Sequence, residues 1–268
     1  MQLTLTLNEK QYQVGLNPIE LAIPLDFQGR QPSTYGVPPA AARPYEGDGF
    51  IGDVRQGGGV NFETYELTPH CNGTHTECVG HITHERISVH SVLRDSWAVA
   101  QVHSVAPVSP AQTQDSYDPP LAPADRIITA EQLTSVWENW QPGQALVIRT
   151  VPNHPDKRYT DYMDQAPPFF SLEAMQAIRA NGVKHLLVDF PSVDRLFDDG
   201  KLRNHRTFWG LEPGQRHLPF GGTPNQTITE MIYVPEEVED GQYLLELQIA
   251  PFVADAAPSR PRLFSMEP

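Results

Sequence analysis

The sequence predicts an α/β fold in one domain over residues 1–268, built on a mixed β-sheet. Three observations predict it. Ala145 to Thr150 is a mostly apolar run, Ser171 can cap a helix that Gly182 ends, and His185 to Phe190 is a second apolar run, together a strand–helix–strand unit. Both chain ends carry extended segments. Twenty-six prolines and nineteen glycines call for long ordered loops rather than a helical bundle, while a hydrophobic fraction of 39% suffices for a core.

In order along the chain, Leu3, Leu5 and Leu7 alternate with threonines, which is strand periodicity, and Asn8-Glu9-Lys10 turns the chain into a second strand from Gln11 to Val14. Ile19 to Phe27 reads as extended. Residues 28 to 60 are rich in Gly and Pro without any period, and a loop of that length is expected to serve a site or cover one. Phe62 to Leu67 alternates weakly, and Ala98 to Val105 is a strand. Residues 106 to 125 are again Pro-rich. Thr129 and Gln132 have capping-box spacing, which predicts a helix from Ala130 to about Asn139. Ile228 to Val234 and Tyr243 to Ala250 are late strands joined by a Glu/Asp-Gly turn.

A formal charge of −14 argues against a nucleic-acid or anionic-membrane partner, since both need basic patches. The start, Met1 to Leu7, lacks the pattern of a signal peptide, and no apolar run approaches the ~18 residues of a membrane span. Two cysteines seven apart make no disulfide framework, so a reducing cytoplasm is the expected compartment.

The chemistry is concentrated in Pro69-His70-Cys71-Asn72-Gly73-Thr74-His75-Thr76-Glu77-Cys78-Val79-Gly80-His81-Ile82-Thr83-His84. Four of the ten histidines, both cysteines and a carboxylate fall within fifteen residues. Imidazole, thiolate and carboxylate are the ligands of zinc and related divalent ions, and a catalytic site needs about three of them plus an open position. His75 and Glu77 are two apart, so an extended backbone projects them to one face. Gly73 and Thr74 permit a tight path between the ligands.

This segment resembles the signature of the cyclase family of metal-dependent hydrolases, which includes bacterial kynurenine formamidase and isatin hydrolase: His-x-Gly-Thr-His-x-Asp-x-Pro-x-His. The match falls on Gly73, Thr74, His75 and His81. Glu77 stands where the family has aspartate, Cys71 where it has its first histidine, and Val79 where it has proline. Val188-Asp189-Phe190-Pro191-Ser192-Val193-Asp194 is similar to a later family segment, His205 and Glu230 resemble later family residues, and Ala257-Pro258-Ser259-Arg260 resembles its closing turn. The resemblance implies a partly barrel-like mixed sheet flanked by helices (swivelling β/β/α-like), a small-molecule substrate and a homo-oligomer. It implies a divalent metal, zinc first and manganese second, on His75 and Glu77 with either His70 or Cys71. His70 is favoured, because it supplies an imidazole and frees the small Cys71 to face a core. The resemblance makes His81 the general acid/base, while His205 and Glu230 complete the site on a second metal or in proton transfer. The implied reaction is hydrolysis of a C–N or C–O bond; a non-hydrolytic cyclase or dehydratase and a binding relative without chemistry are the alternatives.

Other features have blander readings. Cys78 is expected to be a small buried hydrophobe. His84 and His90 read as helix or surface residues, and His217 rivals His205. Asp189, Ser192 and Asp194 follow an apolar strand, where ligands gather in open α/β sheets, although capping and turn formation explain them as well. Phe169, Phe170, Phe208 and Trp209 are candidates for an aromatic pocket, against a core role. There is no Gly-x-Ser-x-Gly elbow and no phosphate loop, and Gly57-Gly58-Gly59 reads as a flexible turn.

Overall fold

The computed structural model describes residues 3–7 and 9–267. Met1, Gln2 and the Asn8 end of the predicted Asn8–Lys10 turn lie outside the described residues. Strands β1 (Leu3–Leu7), β2 (Lys10–Val14) and β3 (Ile19–Glu20) come first, followed by the short β4 (Ala41–Pro44), β5 (Glu46–Gly47), β6 (Phe50–Ile51) and β7 (Glu63–Glu66). Helix α1 (Pro69–Asn72) and β8 (His75–Glu77) carry the histidine cluster, and α2 (Val89–Val92) precedes β9 (Trp97–Val105). Then come β10 (Ile127–Ile128), β11 (Ala145–Thr150), β12 (Phe169–Phe170), α3 (Leu172–Ala180), β13 (His185–Val188) and α4 (Arg203–Trp209). Strands β14 (Thr227–Glu230), β15 (Gly241–Glu246), β16 (Ala256–Pro258) and β17 (Arg262–Glu267) end the series. No described helix is long and apolar enough to cross a membrane.

The result is a mixed α/β fold around one large sheet, in the order β1-β2-β17-β15-β9-β11-β13-β14-β8-β16, with β3 added on β17. Its centre is parallel, β9 with β11, β11 with β13 and β13 with β14. The two middle strands, β11 and β13, are mostly apolar and buried throughout because both faces are covered. Alternation along β11 splits the core in two. Leu146 and Ile148 face Ala174, Met175 and Ile178 of α3, while Ala145 and Val147 face Val102, Leu187 and Leu245. Each buried Val, Leu, Ile or Met among them contributes about 1.5–3 kcal/mol. Ser171 caps α3 as the spacing predicts, accepting from Ala174 N at 3.0 Å.

Five segments depart from expectation. The predicted Tyr243–Ala250 strand runs from Gly241 to Glu246, with only an isolated bridge of Ile249 to Ser259 beyond it. Glu131–Asn139 is a 3₁₀ helix rather than an α-helix. Thr134, Ser135, Val136, Trp137 and Asn139 are weak α-helix formers, so the tighter i→i+3 pattern prevails over so short a span. The extended Ile19–Phe27 run is a ladder only at Ile19–Glu20; beyond it, Ala22 makes an isolated bridge to Ile232, and Ile23 N donates to the Thr74 hydroxyl. Ile228–Val234 stops as a strand at Glu230, because Met231 takes a left-handed φ of 53°. The 28–60 stretch is partly ordered: β4 pairs with β7 and β5 with β6, around the packed rings of Tyr45, Phe50 and Phe62.

Candidate metal centre

Strand β8 is the floor of the site. It lies antiparallel between β14 and β16, with His75 opposite both Glu230 and Pro258. Opposed residues in such a pair share a face, so His75, Glu77 and Glu230 point the same way. Thr76 points to the other face, where its hydroxyl meets that of Thr229 at 2.8 Å. Pro69 opens α1 at the position helices tolerate proline best. At Gly73 the backbone adopts φ 154°, ψ −164°, a conformation that favours glycine. That reversal brings the His70 and His75 rings within 5.1 Å of each other. Gly80 is needed for another reason, since a Cβ there would sit 1.8 Å from the Ile87 carbonyl.

The side chains named from the sequence converge on Glu77. Two donor groups share it: His70, Glu77 and His81, and His75, Glu77 and Glu230, each with its ligand atoms within 4.8 Å of one another. His75 is fully buried, and its Nδ1 lies 3.0 Å from the Gly73 carbonyl. A carbonyl only accepts, so Nδ1 carries the proton and Nε2 the lone pair. Among the described residues that Nε2 has no hydrogen-bond partner, and neither has Glu77 Oε2. The contact of His70 Nδ1 with Glu77 Oε2 is 3.1 Å long but lacks hydrogen-bond geometry. Two orphaned buried donor atoms beside two buried carboxylates are the fit expected of a divalent-cation site. Ring nitrogens backed by a carbonyl or carboxylate are the usual outer support of such sites.

His205 comes from α4. Its Nε2 is 2.9 Å from Glu77 Oε1 and 3.8 Å from Glu230 Oε1, and its Nδ1 is 2.6 Å from Asp194 Oδ2. Asp194 also accepts from the backbone N–H groups of Asn204 and His205, so it caps the helix that carries the imidazole. Tyr117 donates its hydroxyl to the same carboxylate at 2.6 Å.

Cys71 Sγ belongs to neither donor group, and burial followed by the charge of Glu230 raises its thiol pKa. Burial pushes the Cys78 thiol up to about 12, and that side chain packs with Val89, Val92 and Ala257.

Electrostatics concentrates positive charge here. Burial opposes ionisation of Glu77, but the imidazoles of His81 and His205 hold its carboxyl well below the ordinary range. Burial likewise opposes the His205 cation, yet Glu77 and Asp194 raise its pKa well above the usual value. For His70, Asp255 and Glu77 overcome burial and push the pKa up to about 10. The pocket therefore demands cationic charge, from protons or from a metal.

The site opens on a cavity of about 550 Å³, with Tyr35, Cys71, Ser192 and Phe197 in its wall beside His70, His81, His205 and Glu230. Tyr35 reaches it from the long 28–60 segment and packs edge-on against Phe197 at 6.4 Å. Phe169, Phe170, Phe208 and Trp209 do not line this cavity. All four are core, with Phe169 against Tyr117 and the others in the cluster around α3. Nor do His84, His90 and His217 belong to either donor group; His84 and His217 pack together at the surface, where His217 meets Glu85. Asp189 is buried elsewhere, on Lys157 and Thr150 at the end of β11. Asp255 was missed by sequence reasoning. It accepts from His70 Nε2 at 2.9 Å and faces His81 Nδ1 at 3.4 Å. Its only sequence signal is proximity to the closing Ala257-Pro258-Ser259-Arg260 turn.

The sequence profile of a family described as "Putative cyclase" matches residues 1–195. Among solved structures, the chain resembles a potential metal-dependent hydrolase with cyclase activity (TM-score 0.61, 15% identity, 93% of this chain and 98% of that one). It also resembles isatin hydrolase A from Labrenzia aggregata bound to benzyl benzoate (TM-score 0.64, 14% identity, 94% of each chain). A third likeness is to a predicted metal-dependent hydrolase from Bacillus stearothermophilus (TM-score 0.60, 14% identity, 92% and 98%). At these identities the likeness is one of fold. No curated protein sequence matches the chain.

Proposed function

The chain belongs to the cyclase family, and from that membership we propose that it is a metal-dependent hydrolase, cleaving an amide, lactam, lactone or similar C–N or C–O bond of a small molecule. One observation carries the reading. The orphaned His75 Nε2 and Glu77 Oε2 stand among donor groups that share Glu77, beside a cavity of about 550 Å³.

His70, His75, Glu77 and Glu230 are the residues to hold the cation. Imidazole and carboxylate donors without a thiolate suit zinc first and manganese second. A divalent cation bound there supplies Lewis acidity to a substrate carbonyl and lowers the pKa of water from about 16 towards 7. His81 stands at the cavity edge with Nε2 3.8 Å from Glu77 Oε2. It takes the proton of the attacking water and returns it to the leaving nitrogen or oxygen, help worth about 10²–10⁴ in rate. His205, held between Asp194 and Glu77, keeps the Glu77 carboxylate in place. Cys71 stays an uncharged thiol in the wall, and Tyr35 with Phe197 frames the entrance. The same reading takes the chain as one domain that assembles as a homo-oligomer in the cytoplasm, where its two free thiols stay reduced.

The test is metal analysis of protein purified without chelator, together with turnover of a panel of lactams, N-formyl amides and lactones before and after chelation. Metal near stoichiometric, with activity lost on chelation and restored by zinc or manganese, is the expected result. Protein that carries no metal and takes up neither ion overturns the proposal. Ring closure with loss of water, in place of hydrolysis, overturns the reaction assignment alone.

A further inference from the structure

One carboxylate oxygen meets two imidazoles. Asp255 Oδ2 is 2.9 Å from His70 Nε2 and 3.4 Å from His81 Nδ1. The two rings lie nearly side by side, with centroids 4.2 Å apart and planes 31° apart. Their opposite nitrogens turn to a single oxygen of the other carboxylate, His70 Nδ1 at 3.1 Å and His81 Nε2 at 3.8 Å from Glu77 Oε2. The rings are thus slatted between Asp255 on one side and Glu77 on the other.

A neutral imidazole has one N–H and one lone pair, and a carboxylate oxygen only accepts. With a cation bound on the Glu77 side both rings are neutral, and each must then give its hydrogen to one carboxylate and turn its lone pair to the other. The Glu77 side holds the orphaned donor atoms, and a cation there repels an N–H. Asp255 is the remaining acceptor. Its backbone is fixed to the strand that carries Glu77, since its carbonyl accepts from Cys78 N at 3.1 Å.

On the metal-hydrolase reading, we infer that Asp255 is a positioning residue that sets the tautomer of both imidazoles, placing hydrogens on His70 Nε2 and His81 Nδ1. The lone pair of His70 Nδ1 then serves the cation, and that of His81 Nε2 takes the proton. The arrangement accounts for the displaced first histidine. Cys71 occupies the signature position, the working imidazole comes one residue earlier at a quarter-exposed site, and Asp255 supplies the outer carboxylate that orients it.

The probe is cobalt(II) alone, titrated by visible absorption into wild type, Asp255→Asn and Asp255→Glu, with thermal unfolding of each metal-free protein. D255N is expected to bind cobalt about 10–100-fold more weakly, the usual cost of losing an outer carboxylate. Its d–d spectrum should change as well, because a reoriented His70 alters the ligand field, which a loss of stability alone does not do. D255E keeps a carboxylate and should recover part of the affinity. Should D255N prove too unstable to purify, Asp255→Ser carries the same expectation. Wild-type affinity and spectrum in the variant overturn the inference and leave the metal reading standing. A loss of affinity that keeps the wild-type spectrum and only follows the loss of metal-free stability also overturns it, by making Asp255 merely structural. Wild-type protein that binds no cobalt defeats the metal reading itself.

Discussion

Asp194→Asn replaces a buried acceptor by a half-donor of the same shape, and the structure sets its cost. Asp194 Oδ1 accepts from the Tyr117 hydroxyl at 2.6 Å and Asn204 N at 2.7 Å; Oδ2 accepts from His205 Nδ1 at 2.6 Å and His205 N at 3.1 Å. An asparagine keeps one oxygen and hence one pair of these bonds. Its amide group would face the other pair, where the His205 backbone N–H has nothing else to accept it. His205 Nδ1 can accept from the amide only by giving up its proton, which leaves a neutral ring in place of the cation that Glu77 favours. Bonds to a charged group contribute about 1.5–3 kcal/mol each, so two lost or inverted bonds cost about 3–6 kcal/mol. For a chain of this size 1 kcal/mol is worth about 2–4 °C, and a fall of about 10 °C in melting temperature follows. Urea unfolding followed by tryptophan fluorescence measures the change directly. A destabilisation under about 1 kcal/mol, with an unchanged slope, would show that the four bonds do not hold α4 and His205 in place.

Glu77→Gln, which removes a charge from both donor groups, should weaken zinc binding by more than about 100-fold in competition with a chromophoric chelator, whereas Glu230→Gln, in one group only, should cost about 10–100-fold; equal effects would contradict the shared role of Glu77. Phe170→Ala should lower stability by about 3–5 kcal/mol in urea unfolding and leave zinc affinity unchanged, because the ring is core and not cavity wall. His185 is buried and hydrogen-bonded to Thr227 Oγ1 at 2.8 Å, and burial pulls its pKa down to about 4. The folded state resists protonating it, while the unfolded chain protonates near 6.5. Its contribution to stability is thus intact above about pH 6.5 and is lost as pH falls towards 4, by at most about 3 kcal/mol. Denaturation curves of wild type and His185→Gln should converge in their pH dependence outside that window, and parallel curves within it would refute the assignment.

Much of this could be read from residue order alone. Alternation and caps located β9, β11, α3 and β13, because long apolar runs and a serine cap are local signals. The i, i+2 spacing of His75 and Glu77 put both on one face, since a strand has no other way to place them. Boundaries were less legible: Met231 ends β14 by a local backbone conformation, and the 130–139 segment tightened to 3₁₀. The four aromatic residues at 169, 170, 208 and 209 went to the core, where a helix packed on a sheet needs large apolar side chains, and pattern alone does not separate that use from a pocket wall.

The sequence by itself determined that this chain has an α/β core and that its coordinating chemistry gathers around residues 70 to 81. Only the tertiary structure decided which of those groups meet. That His70 approaches Glu77, that Asp194 caps the helix carrying His205, and that Asp255 lies against His70 and His81 all depend on strands and helices far apart in the chain. Spacing governs contacts between near neighbours, whereas convergence over more than a hundred residues is set by sheet order and by the burial of charge.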